Sequence, residues 1–256
     1  MDLAHDVTGT GTAVLLLHAG VADRRMWDRQ RDVLVAAGLR VVRADLPGFG
    51  GTPAAAQDYD EAAEVLGLMD VAVGRGTRFA VVGASYGGSV ALALAARWPE
   101  RVGALVLLCP AADLLEPGPD LRLVWRREAE LLQAGDVDGA VALNVATWLG
   151  PEAGDDARTL VAAMQRRAFD LQALVGAEPV KVPVDLATVT AATLVLAGGR
   201  DLPEFRAVAR AVSAAVPGAE LVELPWAGHL PTLERPDEAA MAVRDFLIDR
   251  MVDAYR

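Results

Sequence analysis

Arg78-Phe-Ala-Val-Val-Gly-Ala-Ser85-Tyr-Gly-Gly-Ser-Val-Ala-Leu-Ala-Leu94 is an apolar run that stops at a serine boxed in by glycines and restarts as a small-residue helix. The run from Phe79 to Val82 reads as a buried strand. It enters a turn so tight that Ser85 must hold a strained backbone, and small residues at Gly83 and Gly87 let the flanking segments pass, which is the mechanical content of Gly-x-Ser-x-Gly. The turn lifts the serine oxygen clear of the sheet edge. The following helix aims its N-terminal amides, beginning with that of Tyr86, at negative charge forming nearby. An ordinary glycine-rich strand-to-helix turn would share the pattern, so the rest of the chain decides.

Outward from this turn, strands and helices alternate. Ala13–Leu17 is an unbroken apolar run ending in His18-Ala19-Gly20, and Met26–Ala37 has helical spacing up to Gly38. Leu39–Ala44 is the next strand, followed by the turn-dense Asp45-Leu-Pro-Gly-Phe-Gly50 and an amphipathic helix over Tyr59–Val73. The helix after Ser85 ends near Trp98, and Ala104–Leu108 is another strand. From Ala111 to Thr190 only helical periods appear, roughly Asp120–Ala134, Asp136–Leu149 and Asp155–Val175. The strand rhythm then returns at Ala192–Ala197 and Glu220–Leu224, with helices over Phe205–Val216 and Pro236–Asp253. The expectation is an α/β fold with a mostly parallel central sheet flanked by helices. A core of residues 1–110 and 191–256 would carry a helical cap, 111–190, inserted after the strand that follows the nucleophile helix.

The 256 residues are 53% apolar, ample for one large core, and the formal net charge is −11. That charge disfavours nucleic acid and anionic membrane as partners, leaving a small-molecule substrate and a monomer or homodimer. Cys109 is the sole cysteine, which excludes an internal disulfide and a cysteine metal cluster; no metal or cofactor is expected. The N-terminus lacks a signal-like pattern and no apolar run reaches membrane-spanning length, so the expected location is cytoplasmic.

A serine hydroxyl needs a base within reach and a group to orient that base. Of three histidines, His5 lies in an expected frayed terminus and His18 directly at a strand end. His229, in Pro225-Trp-Ala-Gly-His-Leu-Pro231, follows the last strand on the same sheet edge as Ser85. Asp201, ending Leu194-Val-Leu-Ala-Gly-Gly-Arg-Asp, supplies an orienting carboxylate. Asp113, after the preceding strand, is the alternative, and Asp201 could instead cap the helix after Pro203.

The order Ser, Asp, His, together with His18-Ala-Gly, Asp45-Leu-Pro-Gly-Phe-Gly, Gly83-Ala-Ser-Tyr-Gly, Gly199-Arg-Asp and Gly228-His, resembles the α/β-hydrolase family, of the capped ester and lactone hydrolase type, over essentially the whole chain. The resemblance implies Ser85 as nucleophile, Asp201 as acid and His229 as base. The oxyanion donors would be the Tyr86 amide and that of Gly20 by position, with Ala19 as fallback, because this chain reads His-Ala-Gly where family members commonly read His-Gly-x. His18 would be structural. Ester or lactone cleavage is the leading expectation; C–C bond hydrolysis, thioester release, cyclisation and non-enzymic ligand binding are the rivals.

Within the cap, Trp125 and Trp148 are the large apolar side chains expected to line the pocket. On the third cap helix Leu160, Val161, Met164, Ala168, Leu171 and Leu174 form one apolar face, with Met164 a candidate substrate contact. Arg167 falls inside that arc, so it must snorkel, pair with an acid, or meet an anionic or carbonyl-rich substrate.

Overall fold

The computed structural model describes residues 1–173 and 177–253; Leu174 and Val175, at the end of the expected third cap helix, lie outside them. Seven strands form one sheet in the order β1-β3-β2-β4-β5-β6-β7. They are β1 (His5–Thr8), β2 (Ala13–Leu17), β3 (Arg40–Ala44), β4 (Phe79–Ala84), β5 (Val102–Leu108), β6 (Ala192–Gly198) and β7 (Glu220–Leu224). All pairings are parallel except β1 with β3. The helices are α1 (Asp28–Ala36), α2 (Glu61–Val73), α3 (Tyr86–Arg97), α4 (Pro119–Gln133), α5 (Val137–Trp148), α6 (Asp155–Gln172), α7 (Pro203–Ala215), the short α8 (Pro231–Glu234) and α9 (Pro236–Asp253).

Continuous apolar strands fit because both faces of the sheet are covered. Leu15 and Leu17 of β2 and Val81 of β4 pack with Val65 of α2, Val90 of α3 and Val212 of α7. On the other face Val14, Leu16 and Val82 meet Leu34 of α1 and Val243 and Leu247 of α9, and this same cluster runs on into Leu121, Trp148 and Val161 of the inserted helices. The alternation along each strand therefore decides which helix layer a residue serves. The insert α4–α6 leaves the sheet after β5 and rejoins it at β6.

The N-terminus departs from the expectation of a frayed end. His5 lies in edge strand β1, paired with Ala44. Arg43, buried on β3, grips Asp6 with two parallel hydrogen bonds of 2.9 and 2.8 Å, which fastens this short polar strand without a hydrophobic stripe. The expected helix from Met26 begins instead at Asp28, after a tight helical turn over Arg24–Trp27 capped by Asp23. Among the described residues no helix is long and apolar enough to cross a membrane.

Candidate active site

Ser85 stands between β4 and α3 with φ 47° and ψ −113°, a strained left-handed backbone for a residue with a side chain. The glycines are dictated by contact. A Cβ on Gly83 would lie 2.4 Å from Gly87 O, and one on Gly87 would lie 2.4 Å from Leu17 O. The absence of side chains at these two positions lets β4, α3 and the end of β2 approach this closely.

His229 Nδ1 lies 2.7 Å from Asp201 Oδ2, and its Nε2 lies 2.7 Å from Ser85 Oγ. A carboxylate only accepts, so Nδ1–H donates to Asp201, which leaves Nε2 to accept the Ser85 hydroxyl proton. All three residues are buried. The other Asp201 oxygen, Oδ1, accepts the Leu202 amide at 2.7 Å, fixing the carboxylate from its own loop. Asp113, the alternative acid, pairs with Lys181 at the surface and reaches none of these groups.

Phe205 and Trp148 flank the imidazole, with ring centroids 4.2 and 4.8 Å from it. Glu234 fixes the loop itself: Oε2 accepts the Gly228 amide and Oε1 the Leu230 amide, on either side of His229. Sequence reasoning missed Glu234, although a glutamate five residues beyond the candidate base and two before Pro236 was the available signal. Below the loop, the buried Cys109 thiol donates to Gly228 O at 3.6 Å, and burial pushes this thiol well above its ordinary pKa. Cys109, Asp201 and His229 are the one grouping of three candidate metal-ligand residues among those described, but His229 and Asp201 already bond each other.

At the first turn, the Ala19 amide donates to Met26 Sδ at 3.3 Å, while Gly20 packs beside Tyr86. His18 is fully buried. Its Nδ1–H donates to Ala19 O and its Nε2 accepts the Leu46 amide, each at 2.9 Å, so it ties the His18-Ala-Gly turn to the Asp45–Gly50 turn. Burial holds its pKa below the usual histidine value, in keeping with a neutral ring that both donates and accepts.

These groups open into a cavity of about 560 Å³ whose walls include Ser85, Tyr86, Gly20, His229, Trp125 and Trp148. Side chains of the inserted helices therefore line the same cavity as the serine. Met164 and Arg167 do not line this cavity. Met164 is buried elsewhere, its Sδ accepting the Asp23 amide, and Arg167 is exposed, its Nε donating to Gly50 O at 3.2 Å. The long arginine stem crosses the edge of the apolar face and delivers its head to a carbonyl outside the cavity.

The family model described as "Alpha/beta hydrolase family" matches residues 14–242. A 2-hydroxy-6-oxo-6-phenylhexa-2,4-dienoate hydrolase from Burkholderia cepacia is 37% identical over 134 residues, which is 48% of this chain and 46% of that one. A thermophilic esterase from Thermogutta terrifontis superposes with a TM-score of 0.77 at 27% identity, covering 97% of this chain and 93% of that one. The enol-lactonase from Burkholderia xenovorans LB400 gives 0.75 at 25% identity, with 96% of each chain covered.

Proposed function

The chain belongs to the alpha/beta hydrolase family, and from that premise we propose that it cleaves a small carboxylic ester or lactone through a covalent acyl-enzyme on Ser85. The observation that carries the reading is the unbroken relay of 2.7 Å contacts from Ser85 through His229 to Asp201 at the wall of an apolar-rimmed cavity. Ser85 Oγ attacks the carbonyl as its proton passes to His229 Nε2, and Asp201 holds and stabilises the resulting imidazolium. The amides of Tyr86 and Gly20 receive the tetrahedral oxyanion. Gly20 is preferred to Ala19 because the Ala19 amide is already engaged with Met26. The imidazolium then protonates the departing alkoxide, and water, deprotonated by His229, releases the acid. In a lactone, alcohol and acid leave as one molecule.

Hydrolysis of p-nitrophenyl and γ-lactone substrates by wild type and by Ser85→Ala tests this directly. Ser85→Ala should lower kcat by roughly 10⁶-fold, as loss of the nucleophile does in serine-protease triads. Similarity to the B. cepacia dienoate hydrolase favours C–C bond hydrolysis as a second reading, in which the leaving group is a carbanion protonated on carbon. Turnover of a 1,5-diketone without turnover of matched esters would select it.

A further inference from the structure

The reaction cavity carries an uneven distribution of charge. Glu128 of α4 and Glu178 line it, whereas no arginine or lysine does among the described residues. Arg167 borders a separate, charge-paired hollow with Asp23, Arg24 and Asp45.

Glu128 is held in a fixed position with one oxygen in reserve. Asn144 Nδ2 donates to Glu128 Oε2 and to Ala140 O, while Asn144 Oδ1 accepts the Trp148 indole N–H at 2.7 Å. Trp148 in turn packs on His229. Among the described residues no cation pairs with Glu128 and no donor reaches its Oε1. A second polar residue lines the same cavity: Gln165 of α6, only 4% exposed, has a buried Oε1 with no hydrogen-bond partner among the described residues. A buried amide oxygen left open is costly unless a ligand supplies a donor.

We propose that the cap side of this cavity is a subsite for a hydrogen-bond-donating cation, so that the preferred substrate carries a protonated amine at the end remote from the scissile carbonyl. Glu128 supplies the charge and Gln165 the neutral acceptor. A hydroxyl satisfies the acceptors with less gain, and a carboxylate meets like charge with no cation to offset it. The inference rests on the hydrolase reading only in taking Ser85 as the reacting end. Its consequence is selectivity against substrates with a remote carboxylate.

The test uses binding, so that it stands apart from catalysis. Dissociation constants of hexylamine, 1-hexanol and hexanoate are measured by calorimetry at pH 7.5 for wild type, Glu128→Gln and Gln165→Met, and wild type is assayed separately on p-nitrophenyl hexanoate. Hexylammonium should bind wild type about ten- to a hundredfold more tightly than hexanoate, and Glu128→Gln should remove most of that preference. Gln165→Met should weaken both the amine and the alcohol. Absent amine binding, equal binding of amine and carboxylate, or a preference that survives Glu128→Gln would overturn the subsite, the last by assigning it to the overall charge of −11. If the amine preference holds while the wild type hydrolyses no ester, the subsite stands and the hydrolase reading fails.

Discussion

Glu234 brackets His229, its two carboxylate oxygens accepting the Gly228 amide at 2.7 Å and the Leu230 amide at 3.1 Å. The imidazole is thereby aimed by the backbone on both sides as well as by Asp201. Glu234→Ala leaves two buried amides unpaired, a loss of about 2 to 5 kcal/mol in stability. Because a small misplacement of the base is costly, kcat should fall about ten- to a hundredfold with little change in KM. Glu234→Gln, which keeps one acceptor, should recover part of both. Denaturant melts and initial rates on one ester check this, and an unchanged kcat in Glu234→Ala would reduce Glu234 to a fold determinant.

Asp201→Asn should lower kcat by roughly 10³- to 10⁴-fold, because an amide there favours the wrong imidazole tautomer, as in serine-protease triads. Asp113→Asn should leave rates unaltered, since among the described residues Asp113 pairs with Lys181 at the surface and not with His229. Parallel rate measurements on the two variants decide between the acids.

Glu61 gives the fold a pH signature. Burial pushes its carboxyl from 4.5 up to about 7, against a smaller opposing effect from the Tyr86 phenol, which donates to Oε2 at 2.5 Å. The folded chain thus keeps a proton that the unfolded chain has lost between about pH 4.5 and 7, so stability falls as pH rises through that window. At about 1.4 kcal/mol per pH unit, the full loss by pH 8 is roughly 3 kcal/mol. Glu61→Gln should therefore be more stable than wild type at pH 8, and that advantage should vanish near pH 4. Melts across this range, showing no convergence of the two proteins at low pH, would refute it.

The parallel core was legible because strands such as Ala13–Leu17 are apolar throughout and end at turn residues, a pattern that local sequence carries in full. The positions of Ser85 and Asp201 were legible for the same reason, each following such a strand, whereas His229 follows the exposed, glutamate-bearing β7 and was legible from its place between the last strand and the last helix. Strand β1 was not, since His5–Thr8 has no apolar stripe and owes its place to Arg43, far along the chain. Nor was the Glu128–Asn144–Trp148 chain, whose members sit on two helices and meet only through their packing. Arg167 marks the limit of helical-wheel reasoning. The wheel places its Cα near the apolar arc, but a flexible stem carries the charge to Gly50 O.

Hydrolysis by this route requires that Ser85, activated by His229, forms a covalent intermediate. Incubation with a fluorophosphonate, followed by intact-mass and peptide analysis, tests it most directly. One phosphonyl group per chain is expected, carried by Ser85, formed much more slowly in His229→Ala and Asp201→Asn and absent from Ser85→Ala. An unlabelled wild type, or a label on Ser85 formed equally fast in His229→Ala, would contradict it.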